Sequence, residues 1–372
     1  MIKTIFFNLF IMVWFNFKLI AQIGNCYIDK DFQIKILTNY LNRLKEINNS
    51  GNWKSLHLNK NYKIGSTGKE IKSVKNNLQL LNYYPQNIEI KNDSLDLELQ
   101  KAIKNFQYYH HIDTTGTLGL KTRNKLNQPL DELIKIVEWN IKQWQQSELN
   151  HYENFIFINI AECHLKVIEN KNIKLEMKVI VGRPSRPSFE LNSEIDGVEF
   201  YPYWVVPPGI LRKDVIPQFE KDRKFLSKNN FEILTWLNEP LNFIPEPNEL
   251  TKYKVQQPPG KKNPLGKVKF NFKNKNFMFL HDTPNKYLFK NYPSAYSSGC
   301  IRLEKAEELT FYLLSKNCNY SKPEIESFFI NEKNKSIKFK NTMSLKIHYF
   351  TIWANEKDEL FFADDIYKRV NN

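Results

Sequence analysis

Residues 154–181 contain Phe155-Ile156-Phe157-Ile158-Asn159-Ile160, then Leu165-Lys166-Val167-Ile168, then Leu175-Glu176-Met177-Lys178-Val179-Ile180-Val181. Each is a short run rich in β-branched and aromatic side chains, which pack well on a pleated surface. The polar turn Glu169-Asn170-Lys171-Asn172 separates the second run from the third. Runs this short, joined so tightly, predict hairpins and therefore a mainly antiparallel β domain. Strands are expected again at Lys267–Phe272, Phe277–Leu280, Leu345–Ile352 and Leu360–Phe362. From about 207 to 255 the rhythm breaks into helical and polar patterns, including Phe225-Leu226 and Phe231–Leu237, and reads as an insertion.

Upstream of residue 154 the period is helical. Ile71, Val74, Leu78 and Leu81 recur at steps of three and four, the spacing of one face of a helix. Leu99, Ile103 and Phe106 repeat the pattern after Asp96, an N-cap type of residue. A loop with Gly116 and Gly119 leads to a third short helix at Thr122–Leu126. Residues 64–128 thus predict a small three-helix bundle. Pro129 opens a further helical stretch over 129–150 that lacks Gly, so it reads as a packed connector and not a flexible linker. Residues 22–63 are helical or irregular, with Leu37, Leu41 and Leu44 at helical spacing. The expected class is α+β multidomain, with a β-sandwich-like domain over 151–372.

A chain of 372 residues exceeds one small core, in keeping with that division. The net charge of +14 invites an anionic partner, but Lys is spread along the whole chain and forms no stripe that would mark a nucleic-acid surface. Met1-Ile2-Lys3 followed by the apolar run Thr4–Phe17 and the small residue Ala21 has the layout of a signal peptide over 1–21. The apolar run is shorter than the ~20 residues a spanning helix needs. Export with cleavage is therefore expected, whereas an uncleaved leader would leave an inner-membrane attachment. Cys26 follows Ile23-Gly24-Asn25, which is not a lipoprotein box. The four cysteines, Cys26, Cys163, Cys300 and Cys318, form no CxxC pair or zinc-ligand spacing, so neither a disulfide framework nor a metal site is expected.

Chemistry concentrates in two places. His281-Asp282-Thr283-Pro284 follows directly on an apolar run, and nineteen residues after His281 stands Cys300, within Tyr296-Ser297-Ser298-Gly299-Cys300-Ile301-Arg302-Leu303. A thiol attacks as the thiolate, and an imidazole can take and return its proton. Gly299 permits close backbone approach, so amides near Cys300 can face an oxyanion, and Arg302 adds positive charge. A helix expected over Glu304–Leu314 would place its positive end near the thiol. His110-His111 reads as solvated surface, Cys163 and Cys318 as structural, and Tyr287 and Phe289 as packing.

The pattern of a His after a strand and Ser297-Ser298-Gly299-Cys300-Ile301-Arg302 resembles the L,D-transpeptidase (YkuD-type) catalytic domain. Residues 179–210 (VIVGRPSRPSFELNSEIDGVEFYPYWVVPPGI) and 256–272 (QQPPGKKNPLGKVKFNF) are similar to its large Gram-negative branch, whose insertion caps the substrate. One departure is Ser294, where that branch often has Arg. Residues 64–128 resemble a peptidoglycan-binding domain through Ala102, Phe106-Gln107, Asp113, Gly116, Thr122 and Leu126-Asn127, with a slightly longer Asp113–Gly116 loop. The resemblance implies a periplasmic, wall-associated cysteine acyltransferase acting on peptidoglycan stem peptides and glycan, with no cofactor and no nucleic-acid partner. Cys300 would be the nucleophile and His281 the base. Gly299 and Arg302 would serve the oxyanion, and Ser297 and Ser298 would shape the pocket and orient the imidazole. The product would be a 3→3 crosslink. An L,D-carboxypeptidase or amidase on the same scaffold, and a non-catalytic wall-binding scaffold, are the alternatives.

Overall fold

The computed structural model describes residues 28–149 and 153–370; the expected leader over 1–21 and Cys26 lie outside them. Helix α1 (Lys30–Ser50) starts where the Asp29 carboxylate accepts from the Phe32 amide and stops at Gly51 in a left-handed conformation. Its buried stripe of Leu37, Leu41, Leu44 and Ile47 joins the core of the β-rich domain and not that of the helices that follow.

Helices α2 (Lys69–Leu80), α3 (Leu97–Tyr109) and α4 (Leu120–Leu126) enclose a separate core of Ile71, Val74, Leu78, Leu99, Ile103, Phe106 and Leu126. Leu56, Leu58 and Tyr62 belong to it too, so this unit starts upstream of residue 64. Asp96 caps α3 through the Leu99 amide at 2.9 Å. Buried Gln107 closes the unit: its amide donates to Thr122 Oγ1 and the Thr117 carbonyl and accepts from the Gly116 amide. The motif residues of this region therefore have a structural task.

Helix α5 (Leu130–Gln146) lies on the β-rich domain. Trp144 stacks on Phe350 with centroids 3.8 Å apart, and Asn140 Oδ1 accepts from the amides of Thr351 and Ile352.

The β-rich domain continues through β1 (Asn154–Asn159), β2 (His164–Glu169), β3 (Asn172–Gly182), β4 (Leu191–Phe200) and β5 (Trp204–Val205). The insertion follows: α6 (Pro208–Ile210), a π-helical turn (Leu211–Val215), α7 (Ile216–Lys221), α8 (Phe225–Lys228), β6 (Glu232–Leu234) and β7 (Lys254–Gln257). Then come β8 (Val268–Phe272), β9 (Leu280–His281), β10 (Ala295–Ser297), β11 (Ile301–Leu303), α9 (Ala306–Cys318), α10 (Lys322–Ile330), β12 (Lys335–His348), β13 (Ile352–Ala354) and β14 (Leu360–Phe362).

The large sheet has the order β10-β3-β11-β9-β8-β4-β12-β1-β2, and β2 also pairs with β3. The pairing therefore returns on itself, where a β-sandwich-like arrangement of facing sheets was expected. The length of β3 is the reason. Its first part, Asn172–Lys178, pairs with β2, and its last residues pair with β11 and β10. Antiparallel pairs dominate, but β1–β12, β3–β10 and β9–β11 are parallel. The domain is β-rich with helices N-terminal to it.

Two local expectations fail. Phe231–Leu237 is not helical: Glu232–Leu234 is a strand held by β7, and β5-β7-β6 forms a small sheet of its own. The strand expected from Phe277 is confined to Leu280–His281, because Phe277 adopts a left-handed φ of 53° and points into solvent. The insertion has its own core of Val206, Leu211, Val215, Phe219, Leu226, Leu250 and Val255.

Candidate active site

The β9–β11 pairing sets Leu280 beside Ile301 and His281 beside Arg302. The Ile301 amide donates to the Phe279 carbonyl at 3.0 Å, so the register extends one residue further and Cys300 comes opposite Phe279. Side chains alternate along a strand, so His281, two residues from Phe279, shares the face of Cys300.

His281 is buried, and its Nδ1 lies 2.5 Å from the Asp282 carbonyl. A carbonyl only accepts, so Nδ1 carries the proton and Nε2 is left with its lone pair. Burial, helped by the Arg302 charge, pushes the imidazole pKa down to about 4. Burial also raises the Cys300 thiol, against the opposing pull of the Phe279 amide, Arg302 and Lys269. At neutral pH the pair is thus an uncharged thiol and an uncharged imidazole.

Asp282 is itself fixed. Its carboxylate accepts from the Lys267 amide at 2.9 Å and pairs with Lys286 at 2.6 Å. It lies so close to Gly266 that a Cβ there would come within 2.3 Å of its oxygen. The imidazole donates to the Asp282 carbonyl, and among the described residues neither serine is bonded to it. Ser297, buried, instead pins the turn that carries Cys300: its hydroxyl donates to the Cys300 carbonyl and accepts from the Gly299 amide.

Gly299 has a φ of 117°, which favours glycine. Its carbonyl accepts from Ser188 Oγ at 2.7 Å, and Ser188 Oγ in turn accepts from the Gly182 amide at 2.9 Å. In a trans peptide the N–H points away from the C=O. With the Gly299 carbonyl tied to Ser188, the Cys300 N–H is therefore turned to the opposite side, the orientation an oxyanion donor needs.

Arg302 Nε is buried with no hydrogen-bond partner among the described residues, and burial lowers the guanidinium pKa. Ser298 Oγ accepts from Arg183 Nη2 and Arg186 Nη1, each at 3.2 Å. Arg186 also grips Asp214, in the insertion's π-helical turn, with both Nη atoms.

The helix-dipole expectation is corrected. Strand β11 separates Cys300 from α9, and three residues of strand span about 10 Å. The dipole field fades within the first turn of a helix. His110 and His111 are not solvated surface either. His110 is stacked between Phe106 at 3.8 Å and Phe362 at 4.5 Å, and His111 stacks on Tyr292 at 4.6 Å. Cys163 is buried and its thiol pushed up to about 12, and Cys318 Sγ contacts the Lys338 carbonyl. Phe289 is buried, whereas Tyr287 is exposed. Ser294, at the place where the resembled branch often has Arg, is buried and bonds the Asn291 carbonyl. Sequence reasoning missed Arg183, Arg186, Ser188 and Asp214, although the first three lie in the quoted Gly182-Arg183-Pro184-Ser185-Arg186-Pro187-Ser188 segment. Among the described residues, no group of three or more His, Cys, Asp or Glu side chains comes together as a metal site would require.

Fold and site together define a β-rich domain that presents a thiol and an imidazole on one sheet face, fronted by a helical unit. Residues 153–318 match the YkuD family, the L,D-transpeptidase catalytic domain, and residues 67–126 match the family "Putative peptidoglycan binding domain". The chain carries an L,D-transpeptidase catalytic domain behind a peptidoglycan-binding domain. A "Putative L,D-transpeptidase" of Haemophilus influenzae is 29% identical over 224 residues, covering 58% of this chain and 44% of that protein. The chain thus spans less than half the length of this curated relative. A "Probable CtpA-like serine protease" of Staphylococcus saprophyticus is 36% identical over 74 residues, 20% of this chain and 14% of that one. The crystal structure of an L,D-transpeptidase from Stackebrandtia nassauensis covers 77% of this chain and 94% of its own, at 15% identity and a TM-score of 0.30.

Proposed function

We propose that the protein is a peptidoglycan L,D-transpeptidase that links tetrapeptide stems 3→3 through a thioester on Cys300. The observation that carries this reading is the His281 Nδ1 bond to Asp282, on the strand beside Cys300. It leaves Nε2 as a base on the face of the thiol.

Cys300 Sγ attacks the carbonyl carbon of the third stem residue while its proton passes to His281 Nε2. The C–N bond to the terminal D-Ala breaks, and the leaving nitrogen takes that proton. The acceptor amine of a second stem then attacks the thioester and gives a proton to Nε2. The thiolate leaves and recovers the proton. The Cys300 N–H and Arg302 offset the charge on the tetrahedral oxygen, and Gly299, Ser297 and Ser298 hold the turn that aims them. In this reading residues 1–21 direct export to the periplasm, 64–128 hold glycan, 129–150 connect, 151–372 perform the chemistry, and 207–255 cap the substrate.

The test is incubation with disaccharide-tetrapeptide, read by intact mass and product chromatography beside Cys300→Ala. Crosslinked dimer that depends on Cys300 is expected. Tripeptide alone would make the enzyme a carboxypeptidase, and neither product nor acyl adduct would leave a wall-binding scaffold.

A further inference from the structure

We infer that Arg183 and Arg186 form a carboxylate-binding subsite beside Cys300, held by Asp214 of the insertion until a carboxylate of the substrate takes its place. The inference rests on the acyl-transfer reading for its substrate but on separate residues for its geometry.

The subsite is built by one loop. Gly182 admits no side chain, since a Cβ would lie 2.3 Å from the Arg186 carbonyl oxygen and 2.5 Å from the Ser188 nitrogen. The chain turns at once, with the Arg186 amide donating to the Arg183 carbonyl at 2.8 Å around Pro184. The Arg183 amide donates to the Ser297 carbonyl at 3.0 Å, which fastens this turn to the catalytic block. Both guanidinium groups consequently reach Ser298 Oγ, two residues from the nucleophile.

The charges there are unbalanced. Arg302 lies close enough for Arg183 to depress its pKa, and its buried Nε has no partner among the described residues. Among the described residues, Asp214 is the carboxylate paired with Arg183 and Arg186, and Arg302 beside them has no carboxylate ion pair. Arg186 holds that carboxylate in the two-pronged geometry Arg uses for carboxylates in general, while Arg183 stands 3.8 Å away. Asp214 is 40% exposed and sits in a π-helical turn, a departure from regular helix that recurs at functional sites. An exposed carboxylate on a separate subdomain is readily exchanged, and a free peptide carboxylate offers the same two oxygens. Two groups near the scissile bond could supply it: a side-chain carboxylate on the third stem residue, or the terminal carboxylate of the leaving residue. Displacing Asp214 would also free the insertion from this tether, so recognition and movement of the insertion share one contact.

The experiment measures binding to full-length Cys300→Ala of three tetrapeptides: unmodified, amidated on the third-residue side chain, and amidated at the C-terminus. The amide that loses affinity identifies the source. A charge-assisted hydrogen bond contributes about 1.5–3 kcal/mol, so the loss is expected to be about ten- to a hundredfold. Adding Arg186→Gln or Arg183→Gln should abolish the discrimination. Arg183→Gln is the safer variant for folding, because Arg183 is partly exposed and, among the described residues, its side chain makes one hydrogen bond, to Ser298, beside a long 3.8 Å ion pair with Asp214. Asp214→Asn should tighten the unmodified peptide and leave the amidated one unchanged. Equal affinity for all three peptides would overturn the subsite. Asp214→Asn weakening every peptide alike would show Asp214 to be merely structural, and would overturn the exchange. If binding discriminates while wild-type protein forms no acyl adduct, the acyl-transfer reading fails and the subsite stands.

Discussion

At the residue scale, the acid–base character of the site follows from burial. His281 sits under the sheet face with its pKa pushed down to about 4, and Arg302 contributes to that depression. Nε2 therefore remains a base through the whole acidic range down to about pH 4. The rate of D-Ala release should fall only as pH drops through that value, not near 6.5, and should rise towards alkaline pH as the raised thiol ionises. Arg302→Gln should move the acidic limb upwards, because the cation that repels the imidazolium is gone. A pH–rate profile of the two proteins checks both statements, and an acidic limb unchanged by Arg302→Gln would sink the second. Ser188 allows a different test. Among the described residues its hydroxyl alone ties the Gly299 carbonyl, so Ser188→Ala should free the peptide whose N–H is proposed to face the oxyanion. Losing one such donor costs on the order of a hundredfold in kcat, and KM should scarcely change because ground-state contacts are untouched. A proportional loss in KM would instead place Ser188 in substrate binding.

At the element scale, two helices are clamped to the β-rich domain by side-chain amides that complete a strand's hydrogen bonding. Gln33 of α1 exchanges two bonds with the Ala354 backbone at 2.7 and 2.8 Å, and Asn140 of α5 satisfies the amides of Thr351 and Ile352. Asn140→Ala would leave both buried amides unpaired, at about 1–3 kcal/mol each. A loss of about 2–4 kcal/mol is expected, read as a lower denaturant midpoint at unchanged slope. Neither clamp was legible in the sequence, because a lone Gln or Asn in a helical pattern carries no sign of a partner more than 200 residues away. Periodicity did place α2 and α3, because repeated burial of one face leaves a repeated apolar residue, and short β-branched and aromatic runs placed most strands. It failed at Phe231–Leu237, where pairing with β7 outweighed a helical pattern. The candidate site residues were legible because a His after a strand and a Gly-Cys-x-Arg turn are local. Asp214 was not, since only the fold brings the insertion's turn to Arg186.

At the scale of the whole molecule, the peptidoglycan-binding unit is docked on the L,D-transpeptidase domain through rings that titrate. His110 is stacked between Phe106, on the preceding helix α3, and Phe362 of β14, and His111 lies against Tyr292, eight residues before Cys300. Tyr108 and Tyr109 flank them on Phe361, and Lys125 pairs with Asp364 at 2.8 Å. Burial pushes His110 down to about 3, with the Lys125 and His111 charges acting the same way, and lowers His111 as well. Opening the interface returns His110 to its ordinary value near 6.5. The opened form then binds more protons than the closed form at every pH between about 6.5 and 3. Stability of the docked state must therefore fall as pH drops from about 6.5, by about 3 kcal/mol at pH 4 from His110 alone. The two units should melt as one calorimetric transition at pH 7 and as two near pH 4, the small unit first. His110→Phe keeps a ring between Phe106 and Phe362 but removes the proton, so it should restore a single transition at pH 4. It also loses the Nδ1 bond to the Phe106 carbonyl, which lowers stability at both pH values alike and leaves the comparison intact. One transition at both pH values in the unmodified protein would show that the stacked histidines do not govern docking.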